Sequence, residues 1–449
     1  MTRPASEIPG PVVPGFTRII TALSPVRLPF DSLQYAIDNA ARYGRLYGIY
    51  LGDSATYVLT DPALAHEMLV ERAGEFHKAE MLRHAVGGLI GNGLLTSEGD
   101  FWRRQRRLAQ PAFHFQRITA YGDTMVASAL ARMANWRTGE TRDIAQDMMA
   151  ITLEIVNKTL FGTDVREQTE RIGQLTLTIL EAANDRLISY APVWERLFKT
   201  QQRREEAAKR ELFALIEGII ASHRDQPDRG DLLSMLLAAR DEDGQPMSAR
   251  QLRDEVVTLF VAGHETTANA LDWAFFTLAQ NPEAEARLRE EISTLGGRPP
   301  TMADLPNLPY SEQVMKEVLR LFPPAAGMTR EPIHDLDLGG YRFPKGANLA
   351  ISTYAMHRDP TLFPDPLRFD PERFSPAREG ELPKHAYLPF GAGPRICIGN
   401  VFAMFEARLI LIAVLQRFRL AVAPGFKVRA EQLFTTRPRG GLKMVLSAA

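Results

Sequence analysis

The strongest constraint on this chain is one stretch of helix-forming sequence that begins at Ser248 and runs with few interruptions to Asn281-Pro282. Ser248 and Gln251 have the spacing of a capping box, and the Asn-Pro step at the far end is a stop signal. At 1.5 Å per residue the segment is roughly 50 Å long, enough to cross a whole domain. Its middle, Val256 to Ala262 and Ala270 to Leu278, is apolar on several faces. A helix of that kind is central and buried, so the rest of the chain must wrap around it, and anything polar inside it needs an explanation.

The chain has the material to do so. It is 449 residues long and 45% apolar; length alone suggests two or three domains, yet no flexible linker, internal repeat or low-complexity tract divides it. The reading is a proline-rich N-terminal segment over residues 1–30 followed by a single domain over residues 31–449. The N-terminal segment carries Pro4, Pro9, Pro11, Pro14, Pro25 and Pro29, and is expected to cross the surface. Its best apolar stretch, Ile19 to Leu23, falls far short of the ~18 consecutive apolar residues of a membrane span and does not read as a signal peptide, so a cytoplasmic protein is expected. With 53 basic and 54 acidic residues the net charge is -1, and no global field argues for nucleic acid as a partner. The single cysteine excludes an intrachain disulfide and fits a reducing compartment.

The predicted elements make a mainly α chain with small β-sheets, an α+β fold. Leu46 to Thr60 reads as a hairpin turning at Gly52-Asp53, and Asp61-Pro62 opens a helix. Helical patterns dominate from roughly Phe101 to Ile292; Gln201 to Arg210 reads as a solvated helix face and Asp225 to Asp231 as a loop. Leu336 to Phe343 and Asn348 to Tyr354 read as two strands joined by the Pro344-Lys345-Gly346 turn. A loop-rich run from His357 to Cys397 follows, and then a helix from Ile398 to Phe418. A run that long without periodicity inside a compact domain usually means function.

Two places carry chemistry. In the long helix, Ala262-Gly263-His264-Glu265-Thr266-Thr267 puts a glycine, which costs about 1 kcal/mol relative to alanine, beside a carboxylate that burial penalises. Ala262 and Gly263 remove bulk. Thr266 can bond back to the Ala262 carbonyl, loosening the ladder and leaving room for water. Taken alone, Glu265 is as readily a helix-face carboxylate as a proton carrier. His264 lacks a partner at metal-ligand spacing and is not read as a ligand.

The second place is Phe390-Gly391-Ala392-Gly393-Pro394-Arg395-Ile396-Cys397-Ile398-Gly399. Glycines permit a tight turn and the close approach of a flat ligand, and a cysteine at the start of a helix is favoured as thiolate by the dipole. This run resembles the heme-binding signature of the cytochrome P-450 family at Phe390, Gly391, Gly393, Arg395, Cys397 and Gly399, and the acid-alcohol pair Glu265-Thr266 resembles the same family's oxygen-activating motif.

The resemblance implies a P-450 fold with its long central helix over heme b. Cys397 is the implied axial iron ligand, its thiolate promoting O-O cleavage, and Glu265 and Thr266 are the implied proton carriers. It further implies cofactor contacts from Ala262, Trp102, Arg106, Arg330, Pro389, Phe390, Gly391, Arg395 and Gly399. A buried network of Glu317, Arg320 and the arginine of Pro371-Glu372-Arg373-Phe374 is also implied. A substrate pocket is implied around Leu94 and Leu95, within the variable Glu80 to Glu98 region, and around Ala325, Ala326 and Met328; the abundance of apolar residues there points to an apolar substrate.

The activity so implied is monooxygenation: one atom of O2 enters the substrate and the other becomes water. The chain stops soon after its last helix, which points to a separate ferredoxin or flavodoxin-type donor with an NAD(P)H reductase and to a monomeric enzyme with no membrane span. Arg103, Arg104 and Arg107, with Lys384 and His385, form a basic face that docks an acidic donor or is simply solvated. A peroxide-using heme-thiolate enzyme and a non-catalytic heme gas sensor or carrier are the competing readings. The relay argues against the first, and the relay with a large apolar pocket argues against the second.

Overall fold

The structure, a computed structural model, describes residues 2–13, 31–52, 54–162, 171–176, 178–179, 199–224 and 230–449. The long helix spans Ala249–Gln280, and both bonds of its capping box are formed, Gln251 N–H to Ser248 Oγ at 3.2 Å and Ser248 N–H to Gln251 Oε1 at 3.3 Å. Asn281 ends it and Pro282 opens the next helix, Pro282–Ser293. Its most extensive packing is against the Ile144–Phe161 helix, with the Pro309–Leu321 and Asn400–Leu415 helices on other sides. One half of the helix is buried through Ala270, Trp273, Phe275 and Leu278 against Ile151 and Leu409 to Leu415. The other half is buried through Val256, Val257, Phe260 and Val261 against Leu160, Phe161, Leu212 and Ile216. Trp273 stacks on Phe322 with centroids 4.1 Å apart, a contact that adds to the area both rings bury.

The small sheets sit beside this helical body. The largest contains β2 (Leu46–Leu51), β3 (Ser54–Leu59), β9 (Asn348–Ile351), β6 (Met328–Pro332) and β4 (Phe76–His77), in that spatial order. The predicted hairpin at Leu46 to Thr60 is β2–β3, in register Tyr47 opposite Val58; its turn residue Asp53 lies outside the described residues. The segment read as one strand from Leu336 to Phe343 is instead a hairpin of β7 (Leu336–Leu338) and β8 (Tyr341–Phe343). Gly339 and Gly340 at φ 57° and 81° make the reversal, because two consecutive residues at positive φ form the turn that matches strand twist. Likewise β9 stops at Ile351, where the Ser352 hydroxyl accepts the Ala355 N–H and starts a short helix.

The described part of the proline-rich leading segment is tied to these sheets. Strand β1 (Arg3–Pro4) pairs in parallel with β8, and Val12 bridges to Tyr50. Gly10 lies so close to β2 that a Cβ there would sit 1.7 Å from the Gly48 carbonyl oxygen. Pro14, Ile19 to Leu23, Pro25 and Pro29 lie outside the described residues, as does most of the predicted Asp225 to Asp231 loop. Strand β5 (Thr141–Asp143) joins β10 (Phe418–Val422) and β13 (Lys443–Ala448), and β11 (Ala430–Gln432) pairs with β12 (Thr436–Pro438) in a two-stranded hairpin. Among the described residues no helix is long and apolar enough to cross a membrane.

Candidate active site

A cavity of about 870 Å³ lies between the middle of the central helix and the cysteine loop. It brings together the residues that the sequence marks for the iron, the cofactor, the proton carriers and the substrate pocket. Ala262, Glu265 and Thr266 come from the helix; Pro389, Phe390, Gly391, Arg395, Cys397 and Gly399 come from the loop. Trp102 and Arg106 come from the Gly99–Ala109 helix, Leu94 and Leu95 from the segment before it, and Ala325, Ala326, Met328 and Arg330 from β6 and its approach.

Two exposures show what kind of space this is. Ala262 is exposed although it stands mid-way along a helix buried almost throughout, and Cys397 is exposed although it lies deep in the protein. Both open onto the cavity, so a small-residue helix face and a thiol border the same internal volume.

The loop that presents Cys397 is built by its glycines. Gly391 and Gly393 have φ of 74° and 67°, and a Cβ on Gly393 would stand 2.0 Å from the Leu69 carbonyl oxygen. A larger residue is therefore excluded twice over at Gly393, by dihedral and by space. The turn closes with the Cys397 N–H on the Phe390 carbonyl at 3.0 Å. The following helix begins at Asn400, not at Ile398. Burial pushes the Cys397 thiol up, and the Gly399 N–H and the Arg106 guanidinium pull the other way. The thiolate expected from the helix dipole is thus opposed by desolvation, and coordination to a metal is what would deprotonate this thiol outright.

One part of the wall is strongly basic. Arg395 stacks on Trp102 at 3.8 Å and donates to the Ser97 carbonyl at 2.9 Å and to Glu98. Arg106 donates to the Ile396 carbonyl at 2.9 Å, and Arg330 is buried with a bond to the Thr329 carbonyl at 2.9 Å. Lys78, which the sequence reading missed, completes the group: buried, it donates to the Leu95 carbonyl at 2.8 Å. Burial first, then Arg395 and Arg330, push Lys78 down to about 7. Four cations around one acid, Glu98, make a wall that calls for an anion, as the propionates of heme would supply. Lys78 left no trace in the sequence because a single lysine after a two-residue strand belongs to no motif.

On the helix, the Thr266 hydroxyl donates to the Ala262 carbonyl at 2.7 Å, the back-bond expected from the sequence, and Thr267 does the same to Gly263 at 3.3 Å. The helix nonetheless remains continuous across them. Glu265 is buried, and its Oε1 accepts the Thr435 hydroxyl at 2.6 Å. His264 faces away from this work, its Nδ1 on the Phe260 carbonyl at 2.9 Å.

Below the loop the buried charge network is formed. Arg320 meets both oxygens of Glu317 at 2.7 and 2.8 Å with both side chains fully buried, and Arg373 stands 3.4 Å from the same carboxylate. His357, also missed, carries this network to the loop. Its Nε2 accepts the Leu388 N–H at 2.9 Å, so Nδ1 bears the proton given to the Arg320 carbonyl at 3.2 Å. Burial and then Arg320 hold the imidazole neutral, down to about 3.

The basic face is only partly as expected. Arg103, Arg104 and Arg107 are not free: they pair with Asp100, Asp241 and Glu242. Arg104 also bonds Gln251 and two carbonyls, which makes it a structural tie. Lys384 is exposed, and His385 stacks on His66 at 3.6 Å.

A family profile described as cytochrome P-450 matches residues 22–443. The chain belongs to the cytochrome P-450 family. It is 41% identical to cyclooctatin synthase of Streptomyces melanosporofaciens, over 86% of this chain and 85% of that protein. It is 35% identical to pentalenene oxygenase of Streptomyces avermitilis, over 92% of each. Among solved structures, a retinoic acid-bound cyanobacterial P-450 superposes with a TM-score of 0.82 at 28% identity, covering 91% of this chain and 93% of the other. This P-450 is therefore a heme-thiolate monooxygenase that carries heme b, draws electrons from a redox partner and acts on an apolar substrate.

Proposed function

We propose that this P-450 hydroxylates a neutral cyclic terpenoid, with Cys397 as the iron ligand and Glu265 and Thr266 as its proton carriers. The observation that carries the reading is the distribution of charge around the cavity: Lys78, Arg106, Arg330 and Arg395 cluster beside the cysteine loop. The remainder of the wall offers mainly apolar side chains such as Met81, Leu82, Val156, Leu259 and Phe434. Among the described residues, no other cation lines the cavity to hold a substrate carboxylate. Relatives whose names specify their chemistry, a cyclooctat-9-en-7-ol 5-monooxygenase at 38% identity and pentalenene oxygenase, act on compounds of this kind.

Bound in this cavity, thiolate-ligated heme supplies the activation of O2. The chain's residues do the rest. Trp102, Arg106, Arg330, Arg395 and Lys78 bind the propionates, and Pro389, Phe390, Gly391 and Gly399 shape the sulfur's surroundings and tune its electron donation. Ala262 leaves space against the helix. Thr266 offers a hydroxyl and Glu265 a carboxyl for passing protons toward the reacting oxygen, and Leu94, Leu95, Ala325, Ala326 and Met328 enclose the substrate and exclude water.

The electron donor is a ferredoxin or flavodoxin-type protein served by an NAD(P)H reductase, acting on a monomeric cytoplasmic enzyme. Arg103 and Arg107 support docking of an acidic donor, since their pairs with Asp100 and Glu242 are exposed and weakly held.

The test is the absorption spectrum of the reduced, carbon monoxide-bound protein beside that of Cys397→His, followed by turnover of pentalenene and cyclooctat-9-en-7-ol. A red-shifted Soret band lost in the variant is expected. A histidine-type band in well-folded wild type overturns the ligand assignment, and preferential binding of fatty acids overturns the substrate class.

A further inference from the structure

On the central helix Glu265, Asn269 and Trp273 follow at intervals of four, so their side chains stand on one stripe. All three engage the tip of the β11–β12 hairpin. The Thr435 hydroxyl donates to Glu265 Oε1 at 2.6 Å, Asn269 Nδ2 donates to Thr435 Oγ1 at 2.9 Å, and Trp273 Nε1 donates to the Thr436 carbonyl at 3.1 Å. The hairpin is further pinned by the Thr436 N–H on the Pro324 carbonyl at 2.9 Å. The two residues just before Thr435, Leu433 and Phe434, line the cavity. The tip is thus in contact with both the substrate space and the acid.

The order of these bonds has a direction. A threonine hydroxyl has one proton; because Asn269 donates into Thr435 Oγ1, that proton is turned toward Glu265. Oε1 therefore serves as an acceptor, and Oε2 is left as the oxygen that takes up and releases a proton. We propose that Thr435 is the positioning residue of the catalytic acid: it fixes Glu265 through Oε1, reserves Oε2 for proton transfer, and links the acid to substrate seated on Leu433 and Phe434. In each transfer one proton leaves Oε2 for the Thr266 hydroxyl, which passes its own proton on toward the reacting oxygen, and a hydronium ion from solvent restores the proton on Oε2 and leaves as water. This inference rests on the reading of Glu265 and Thr266 as the proton carriers.

The experiment compares holoenzymes of the wild type, Thr435→Val, Thr435→Ser and Asn269→Ala, with Glu265→Gln and Thr266→Ala as references. Cyclooctat-9-en-7-ol is the probe, and electrons come from a ferredoxin and its reductase. Four quantities are read: binding from the probe-induced spectral shift, product and peroxide formed per NADPH, the pH profile of coupling, and hydrogen exchange of the Leu433 to Thr436 amides. Thr435→Val is expected to keep probe binding within about twofold while coupled turnover falls about tenfold, as loss of a hydrogen bond to a charged group implies. Thr435→Ser is expected to restore both coupling and pH profile. Asn269→Ala, which leaves the Thr435 hydroxyl in place but free to turn, uncouples in the same direction and provides the answer should the valine variant fold poorly. In the wild type the probe slows exchange at the tip.

Wild-type coupling and pH profile in Thr435→Val overturn the inference, as does a loss that serine does not restore. If Glu265→Gln and Thr266→Ala themselves leave coupling unchanged, it is the relay reading that fails.

Discussion

Replacing Glu406 by glutamine should abolish a measurable part of the pH dependence of this protein's stability. Glu406 lies in the Asn400–Leu415 helix with no exposed surface, and among the described residues its carboxyl has no charged partner and no close hydrogen bond, Thr267 being the one polar group that approaches it. Burial pushes its pKa up to about 8 from an ordinary 4.5, with Thr267 across the helix interface pulling it down. Between those two values the folded protein holds the proton and the unfolded chain does not, so stability is full below the unfolded pKa and falls as pH rises toward the folded one. The slope for one such group is about 1.4 kcal/mol per pH unit. From about pH 5.5 to about pH 7.5 the loss is roughly 3 kcal/mol, a sizeable part of the stability of an ordinary domain.

Glutamine has the shape and neutrality of the protonated acid at every pH, so Glu406→Gln removes this slope and keeps the packing. The assay is urea denaturation of the holoenzyme at a series of pH values, wild type beside variant, so that contributions from bound heme cancel in the difference. The stability of the variant relative to wild type should grow by roughly 3 kcal/mol across that range. Parallel curves would refute the reasoning, because they would mean that Glu406 is solvated or paired well enough to ionise in place. Glu255, also raised to about 8 by burial, and Asp272, which burial likewise raises, remain in both proteins and contribute to the residual slope.

Glu317→Gln should cost roughly 3–5 kcal/mol in chemical denaturation, since it strands Arg320 with no exposed surface beside a nearly buried Arg373; a loss under about 1 kcal/mol would show that backbone carbonyls alone satisfy Arg320. Lys78→Met should stabilise the apoprotein while loosening heme, raising the melting temperature of apoprotein by removing a cation that burial and Arg395 disfavour, and speeding heme transfer to apomyoglobin by removing a propionate contact. A lowered apoprotein melting temperature, or slower heme transfer, would contradict its place in the basic wall. Reversing charge at Arg103 and Arg107 together should slow reduction by a ferredoxin at low salt and leave the fold intact, as both sit in exposed pairs; an unchanged rate would remove this face from docking.

The parts of the site legible in the sequence were those in which one short segment holds the whole signal. Phe390 to Gly399 and Ala262 to Thr267 carry their glycines, their cysteine and their acid-alcohol pair within a few residues, and the capping box at Ser248 with the stop at Asn281-Pro282 marked the helix that presents the second run. Elements were misread where the signal was conformational: Gly339-Gly340 looks like a strand interior until two positive φ values turn it into a hairpin. Arg104 and Arg107 looked free because Asp241 and Glu242 lie far along the chain, whereas the partner of Arg103, Asp100, stands one turn before it on the same helix.

What remained hidden shares one physical character. Lys78, His357, Glu406 and Thr435 are each a single polar residue in an unremarkable stretch, and each acquires its role from a partner that only the fold brings near. His357 joins the Arg320 carbonyl to the Leu388 N–H, so the loop that carries Cys397 is braced from the buried charge network by a ring that must stay neutral. Thr435 joins Glu265 to a hairpin 170 residues further on. The two braces differ in what they can transmit. His357 is buried among fixed backbone groups and can only hold. Thr435 stands at a tip whose neighbours face the substrate space, so a change of occupancy there reaches the acid through one hydroxyl. With Glu265 and Thr266 as the proposed proton carriers, the rigid brace belongs to the cysteine loop and the responsive one to the proton path, which is why substitutions at Thr435 should appear in coupling before they appear in stability.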